Sequence, residues 1–238
     1  MKYLLTILLS TSLLCHCSLA QLGNLLKKAE NAVLGGSDDL NIGSGLKEAL
    51  EVGVNDAVAS LSADKGYFDS AYKVLIPQEA RSVTSRVSKI PGFENLENDL
   101  VKKMNEAAEL AAKTAGPIFL DAIKQMSFND AMSILTGEHN SATTYLENNS
   151  RNKLYDEFMP VIQEALDEVN ARSLWESAVN AYNKVPFIKK LNPQLDDHVN
   201  HKALDGMFSL IELKEQGIRE DVNLRTTPLL KEVFAQQD

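Results

Sequence analysis

The chain has 238 residues, 24 Lys and Arg against 33 Asp and Glu, a formal charge of −9 and two cysteines. That length suits one medium domain or two small ones. The acidic balance argues against nucleic acid as a partner, because the basic pairs Lys27-Lys28, Lys102-Lys103 and Lys189-Lys190 are isolated and no aromatic-basic motif accompanies them.

Residues 1–20 read as a signal peptide: Lys2, an apolar run from Leu4 to Leu14, then Ser18-Leu19-Ala20, which places small residues at −3 and −1 of a cleavage site after Ala20. The run is shorter than the roughly 20 residues that a bilayer span needs, so no transmembrane anchor is expected. The product is expected in the periplasm or outside the cell. Cys15 and Cys17 both lie in the removed part, and neither follows the small residues that lipid attachment requires. The mature form then has no thiol, which excludes disulfides, Cys nucleophiles, thiolate metal sites and iron–sulfur clusters. Cleavage takes one lysine and one histidine, moving the formal charge to −10 and leaving His139, His198 and His201.

Leu22, Leu25, Leu26, Ala29 and Val33 give residues 21–36 an amphipathic pattern that Gly35-Gly36 stops. This is expected to be an N-terminal arm, followed by one helical domain over 37–238. Leu46, Ala49, Leu50, Gly53, Val54, Ala57, Val58 and Leu61 share one helix face. Ala49, Gly53 and Ala57 form a strip of small residues there, where another helix backbone is expected to approach closely enough to offset the roughly 1 kcal/mol that Gly53 costs relative to Ala. Val74 to Pro77 reads as an extended loop.

Helices are expected over about 78–90, ending at Pro91-Gly92, and over about 94–114, with Leu96, Leu100, Met104, Ala107, Ala108 and Ala111 inward. Pro117 suits a first helical position, and Ser127 with Asp130 reads as a capping box that uses Asp for the usual Glu. A long helix over about 141–169 is expected to bend near Pro160. Further helices follow over 173–184 and 196–220, and a last one opens at Pro228. The fold is therefore expected to be all-α, a single bundle of about eight or nine helices without a sheet.

The residues Gly45-Leu46-Lys47-Glu48-Ala49-Leu50, Met104-Asn105 with Ala107-Ala108-Glu109, Phe119 to Met126, Ile134-Leu135-Thr136-Gly137, Lys202 to Phe208, and Arg225-Thr226-Thr227 together make the mature chain resemble the bacterial family called domain of unknown function 4197. The resemblance implies an exported helical protein and supplies no activity. Glu106 stands where the family pattern has arginine, and Val222 where it has proline.

Asp197 and His201 lie one turn apart on a helix and suit two metal ligands, but no third ligand is near, so a solvated helix start is expected rather than a metal site. Ser37 to Glu48 departs from a calcium loop in its glycine, and Gly43-Ser44-Gly45 lacks the rest of a phosphate loop. No metal and no cofactor is expected. The polar residues inside apolar helices, Asn105, Asp121, Lys124, Gln125, Lys202 and Asp205, are the candidate ligand-binding set with Arg225 and Thr226. Asp121–Lys124 and Lys202–Asp205 are spaced to pair at i, i+3. Salt bridges that fix the bundle's register are the simpler reading of these residues. Lys184-Val185-Pro186-Phe187-Ile188-Lys189-Lys190 sets apolar residues among cations and is expected to be a partly packed connector rather than a membrane contact.

Three functions fit this sequence, and the preferred one is not catalytic. The first is a non-enzymatic envelope binding module that meets a partner protein through Ala49, Gly53 and Ala57. The second is a carrier of a small apolar or anionic ligand, lined by Phe119, Met126, Met207 and Phe208, with Lys124 and Arg225 at its mouth. The third is a hydrolase using Asp121 or Asp205 as general base.

Overall fold

In the computed structural model the described residues are 43–77, 81, 84–85, 94–168, 170–184, 186–187, 190–225 and 228–235, and all belong to one unit, Asn41–Asp238. The expected signal peptide, the arm over 21–36 and Thr226 lie outside them, as does most of the helix expected over 78–90. Helix α1 covers residues 43–62. A turn and an extended strap over 63–77 lead on, and the later helices are α2 (Leu96–Ala112), α3 (Ala115–Gln125), α4 (Phe128–Leu135), α5 (Ser141–Asp167), α6 (Ala171–Asn183), α7 (Leu195–Glu220) and α8 (Pro228–Phe234). A short 3₁₀ turn, Val222–Leu224, separates the last two.

The described residues are all-α, with no strand among them. Among the described residues there are seven helices with both ends described, besides α1, against the eight or nine expected for the whole domain. None of the described helices is long and apolar enough to cross a membrane.

α5 explains the assembly. Its buried residues Ala142, Leu146, Ser150, Leu154, Phe158, Ile162 and Leu166 recur every four positions without a break. Each such step turns 40° beyond a full revolution, so the stripe winds about 240° around the helix from end to end. One helix thereby offers apolar surface to several neighbours in turn: α5 packs on α7, α2, α3, α4 and α6. The helix continues through Pro160, whose side is exposed. α7 lies beside α5 and contacts α2 and α6 as well, and its buried set runs from Leu195 to Glu215.

Local signals fix the shorter elements. The Ser127–Asp130 capping box is formed in both directions, with the Asp130 N–H donating to Ser127 Oγ at 3.1 Å and the Ser127 N–H donating to Asp130 Oδ2 at 2.9 Å. Pro117 falls at the third rather than the first position of α3. It is tolerated there because the first four N–H groups of a helix have no intrahelical acceptor.

The small-residue strip on α1 is covered by this chain. Ala49, Gly53 and Ala57 are all buried, and the neighbour facing Gly53 is Ile218 of α7. A Cβ on Gly53 would meet only Ile218 Cδ1, at 4.0 Å, so side-chain packing and not backbone approach closes this contact. Burial removes the strip as a surface for a partner protein.

Candidate functional site

Most of the polar residues on inward helix faces hold the ends of other elements. Glu215 of α7 is buried, and its carboxylate accepts from the N–H groups of Ala142 and Thr143 at 3.0 and 2.8 Å and from Thr143 Oγ1 at 2.8 Å. It therefore caps the start of α5 from another helix, where unpaired N–H groups and the helix dipole favour an anion. Arg219, one turn on, is 2.8 Å from Glu215 and donates to the carbonyls of Ile134 and Leu135 at the end of α4. Arg225 does the same for α7, donating to the carbonyls of Ile218 and Arg219 with its guanidinium against the Phe234 ring. Lys47 of α1 donates to the Lys124 carbonyl at the end of α3.

The strap over 63–77 is fastened by the Met104-Asn105 to Glu109 stretch. Asn105 accepts from the Val74 N–H at 2.8 Å and returns its amide to the Val74 and Val101 carbonyls at 2.9 and 2.6 Å. Glu109 gathers the N–H groups of Lys65, Tyr67 and Phe68 at 3.1–3.2 Å, which holds the turn at Lys65 with its φ of 60°. The Tyr67 hydroxyl donates to the Ala203 carbonyl of α7, and burial drives its ionisation far above the usual range. Glu106 sits half-exposed beside Lys102 and Lys103.

The candidate set from the sequence is not brought together. Asp121 is exposed and pairs with Lys153 and Gln125, at 3.3 and 3.0 Å, rather than with Lys124. Lys124 is exposed. Asp205 pairs with Arg151 at 2.5 Å and with Lys202 at 3.1 Å, the second as spaced. Lys153 and Arg151 are two residues apart on α5, about 200° around it, so the two ion-pair groups face different ways. Arg225 docks about 20 Å further along α7 than Asp205, at 1.5 Å per residue.

Neither carboxylate is poised as a base. Hydrogen bonds from Lys153 and Gln125 hold Asp121 below the usual carboxylate range. Burial raises Asp205, but the bonds from Arg151 and Lys202 outweigh it and hold that group low too. The hydrolase expectation fails on this pairing. The apolar carrier fails on packing: Phe119, Met126, Met207 and Phe208 are core, with the Phe119 and Phe208 rings edge-to-face at 5.7 Å. The cleft between α1, α5 and α7 holds about 30 Å³, room for a water and not for a lipid.

Among the described residues, a polar groove of about 610 Å³ suited to a ligand lies where the end of α5, the start of α6 and the start of α7 meet. Asp196, buried in the first turn of α7, accepts from Gln163 at 2.7 Å and lies 3.4 Å from the Arg172 guanidinium. Arg172 also bonds Asp167 at 2.7 Å. Ser173, Glu176 and Gln194 complete the walls. Trp175 donates to the Asn192 carbonyl at 3.2 Å, fixing the segment that leads into α7.

Next to the groove, Asp197 accepts from the Tyr155 hydroxyl at 2.7 Å and from Asn192 at 2.9 Å, with His201 at 3.4 Å. The bond to Asp197, with burial second, raises the Tyr155 ionisation to about 12, so this phenol stays protonated. No group of three or more ligating side chains suited to a metal occurs among the described residues.

Sequence reasoning missed this groove because no single helix carries it. It also missed Glu109, Glu215 and Arg219. The available signal was charge on a buried stripe: Glu215 falls one turn beyond Ile211 on the inward face of α7, and Glu109 interrupts a run of buried alanines.

The arrangement defines an all-helical protein whose internal polar groups are mostly architectural and which has a polar groove of ligand size at the helix ends. The chain belongs to the family described as protein of unknown function DUF4197, whose model matches residues 36–235. No curated relative and no solved structure matches it.

Proposed function

We propose that the chain is an exported cell-envelope protein that acts by binding, and that the polar groove at Gln163, Arg172 and Asp196 is its binding site. The observation that carries this reading is the groove itself. Its volume falls within the few hundred to a thousand Å³ of small-molecule sites. Its walls are mostly carboxylates, carboxamides and a hydroxyl around one guanidinium, with Pro193 and Leu195 beside them, and the guanidinium is already held by Asp167 and Asp196.

Acceptors outnumber donors on that wall, so the fitting ligand is small, polar and rich in hydrogen-bond donors, an amine or a polyol. An anionic ligand would meet three carboxylates, and an apolar one would strand their hydrogen bonds. Export rests on the expected cleavage after Ala20, which places the groove in the periplasm or outside the cell.

Trp175 is the single tryptophan and is bonded to the groove wall, so its emission reports occupancy. Titration with polyamines and polyols is expected to give a saturable change in that emission, lost in Asp196→Asn and absent with fatty acids. A saturable response to fatty acids alone, unaffected by Asp196→Asn, would overturn the proposal.

A further inference from the structure

Asp196 differs from the other carboxylates of the groove in being buried. Its side chain is 10% exposed, whereas Asp167 and Glu176 stand in solvent. Gln163 donates to one of its oxygens, Oδ2, at 2.7 Å, and among the described residues no hydrogen bond reaches the other, Oδ1. The fully enclosed side-chain atom without a partner among them is Asn200 Oδ1. Asp196 Oδ1 therefore keeps an opening, and the groove that Asp196 lines is that opening. A buried carboxylate oxygen without a donor is costly until something supplies one.

Arg172 does not supply it. Its guanidinium bonds Asp167 at 2.7 Å and stands 3.4 Å from Asp196 Oδ2, an ion pair without a hydrogen bond. The wall's three carboxylates against this one guanidinium leave two negative charges. Two of its carboxamides are already turned to carboxylates, Gln163 to Asp196 and Asn192 to Asp197. What the groove offers a ligand is thus acceptors and negative charge. A polyol brings an acceptor with every hydroxyl, whereas an ammonium brings three donors and no acceptor. Its bonds to a carboxylate are also about twice as strong as neutral ones.

Resting on the groove as the binding site, we infer that the ligand is a small organic dication of the diamine type, one ammonium of which takes the place of Arg172 beside Asp196. Arg172, held by Asp167 on its other side, is then a resident counter-ion. It partly neutralises Asp196 when no ligand is bound and repels the ammonium that replaces it. Glu176, exposed and one turn along α6 from Arg172, is the remaining carboxylate for the second ammonium.

The test follows Trp175 emission of the full processed chain during titration with putrescine and with sorbitol. Putrescine is expected to saturate at a concentration about tenfold or more below sorbitol, and added salt should weaken putrescine alone. Arg172→Gln should bind putrescine about tenfold more tightly, the scale of one unit charge a few ångströms away in a partly solvated site. Glu176→Gln should bind it more weakly. Neither substitution should move the sorbitol midpoint comparably, and circular dichroism melts check that both variants fold.

Putrescine affinity that is unchanged or lowered in folded Arg172→Gln, or unchanged in Glu176→Gln, would overturn the inference. So would sorbitol saturating at the lower concentration, and in each of these cases the groove remains a binding site. No saturation with either compound would remove the groove reading itself and this inference with it.

Discussion

Glu215 and Arg219, one turn apart on α7, join the end of α4 to the start of α5: the carboxylate takes N–H groups of Ala142 and Thr143 while the guanidinium takes the carbonyls of Ile134 and Leu135. Both side chains are at most 10% exposed. Truncating one partner of such a pair leaves the other charged and buried, which costs about 3–5 kcal/mol. Glu215→Ala is expected to lower the midpoint of thermal unfolding by roughly 10 °C for a chain of this size. The double variant Glu215→Leu/Arg219→Met should lose less than the sum of the single variants Glu215→Leu and Arg219→Met, because no lone charge remains. Calorimetry of the four proteins checks this, and strict additivity would refute the coupling.

Asn105 holds the strap as a backbone strand would, through both polar groups of Val74. Asn105→Ala removes three hydrogen bonds and leaves a buried N–H unpaired, a loss of about 2–3 kcal/mol. Exchange of the Val74 amide should quicken by tenfold or more while amides in the middle of α5 quicken only as far as the fall in global stability requires. An unchanged Val74 rate would show that the strap is held by something else.

Two glycines should respond in opposite directions. At Gly206 a Cβ would lie 2.9 Å from Tyr72 Cβ and 3.2 Å from Tyr67 Cε1, and neither atom is at the free end of a flexible chain. Gly206→Ala is expected to destabilise by about 1–3 kcal/mol despite its better helix propensity. At Gly53 the same methyl meets an ordinary contact, so Gly53→Ala should stabilise by up to about 1 kcal/mol. Urea unfolding of both variants tests the pair.

How far these features were legible in the sequence depends on the range of the interaction. The helix over Leu96–Ala112, the Ser127–Asp130 box and the start of α8 at Pro228 follow from spacing and capping within a few residues. The Lys202–Asp205 contact was legible for the same reason. Asp121 was misread as a partner of Lys124 because Lys153 reaches it from another helix, which one-dimensional spacing does not encode. The groove was hidden because Gln163, Arg172 and Asp196 come from three helix ends that meet only through the packing of α5 and α7. The α1 strip was visible as a flat face, but nothing in α1 says that α7 covers it.

Acid should weaken the fold through Asp205 and His198. Asp205 titrates below its ordinary value in the folded chain, so its contribution is present above about pH 4 and lost as pH falls through the lower folded value. Its side chain is nearly half exposed, so solvent screening keeps the effect small. Burial lowers His198 as well, despite its bond to the Leu75 carbonyl. Its unfolded form therefore takes the proton first, and stability declines as pH falls below about 6.5. Urea midpoints at several pH values should show His198→Gln flattening the decline from about pH 7 to 5 and Asp205→Asn flattening it below about pH 4. Parallel curves for variants and wild type would contradict both.

Native mass spectrometry of the processed protein, recovered from the envelope fraction before and after organic extraction, tests the groove most directly. The expected result is a small polar adduct on the wild type that survives extraction of lipids and is missing from Ser173→Trp, which fills the groove without touching the core. A wild type that carries only an organic-extractable adduct, retained in Ser173→Trp, would contradict the polar groove as the binding site.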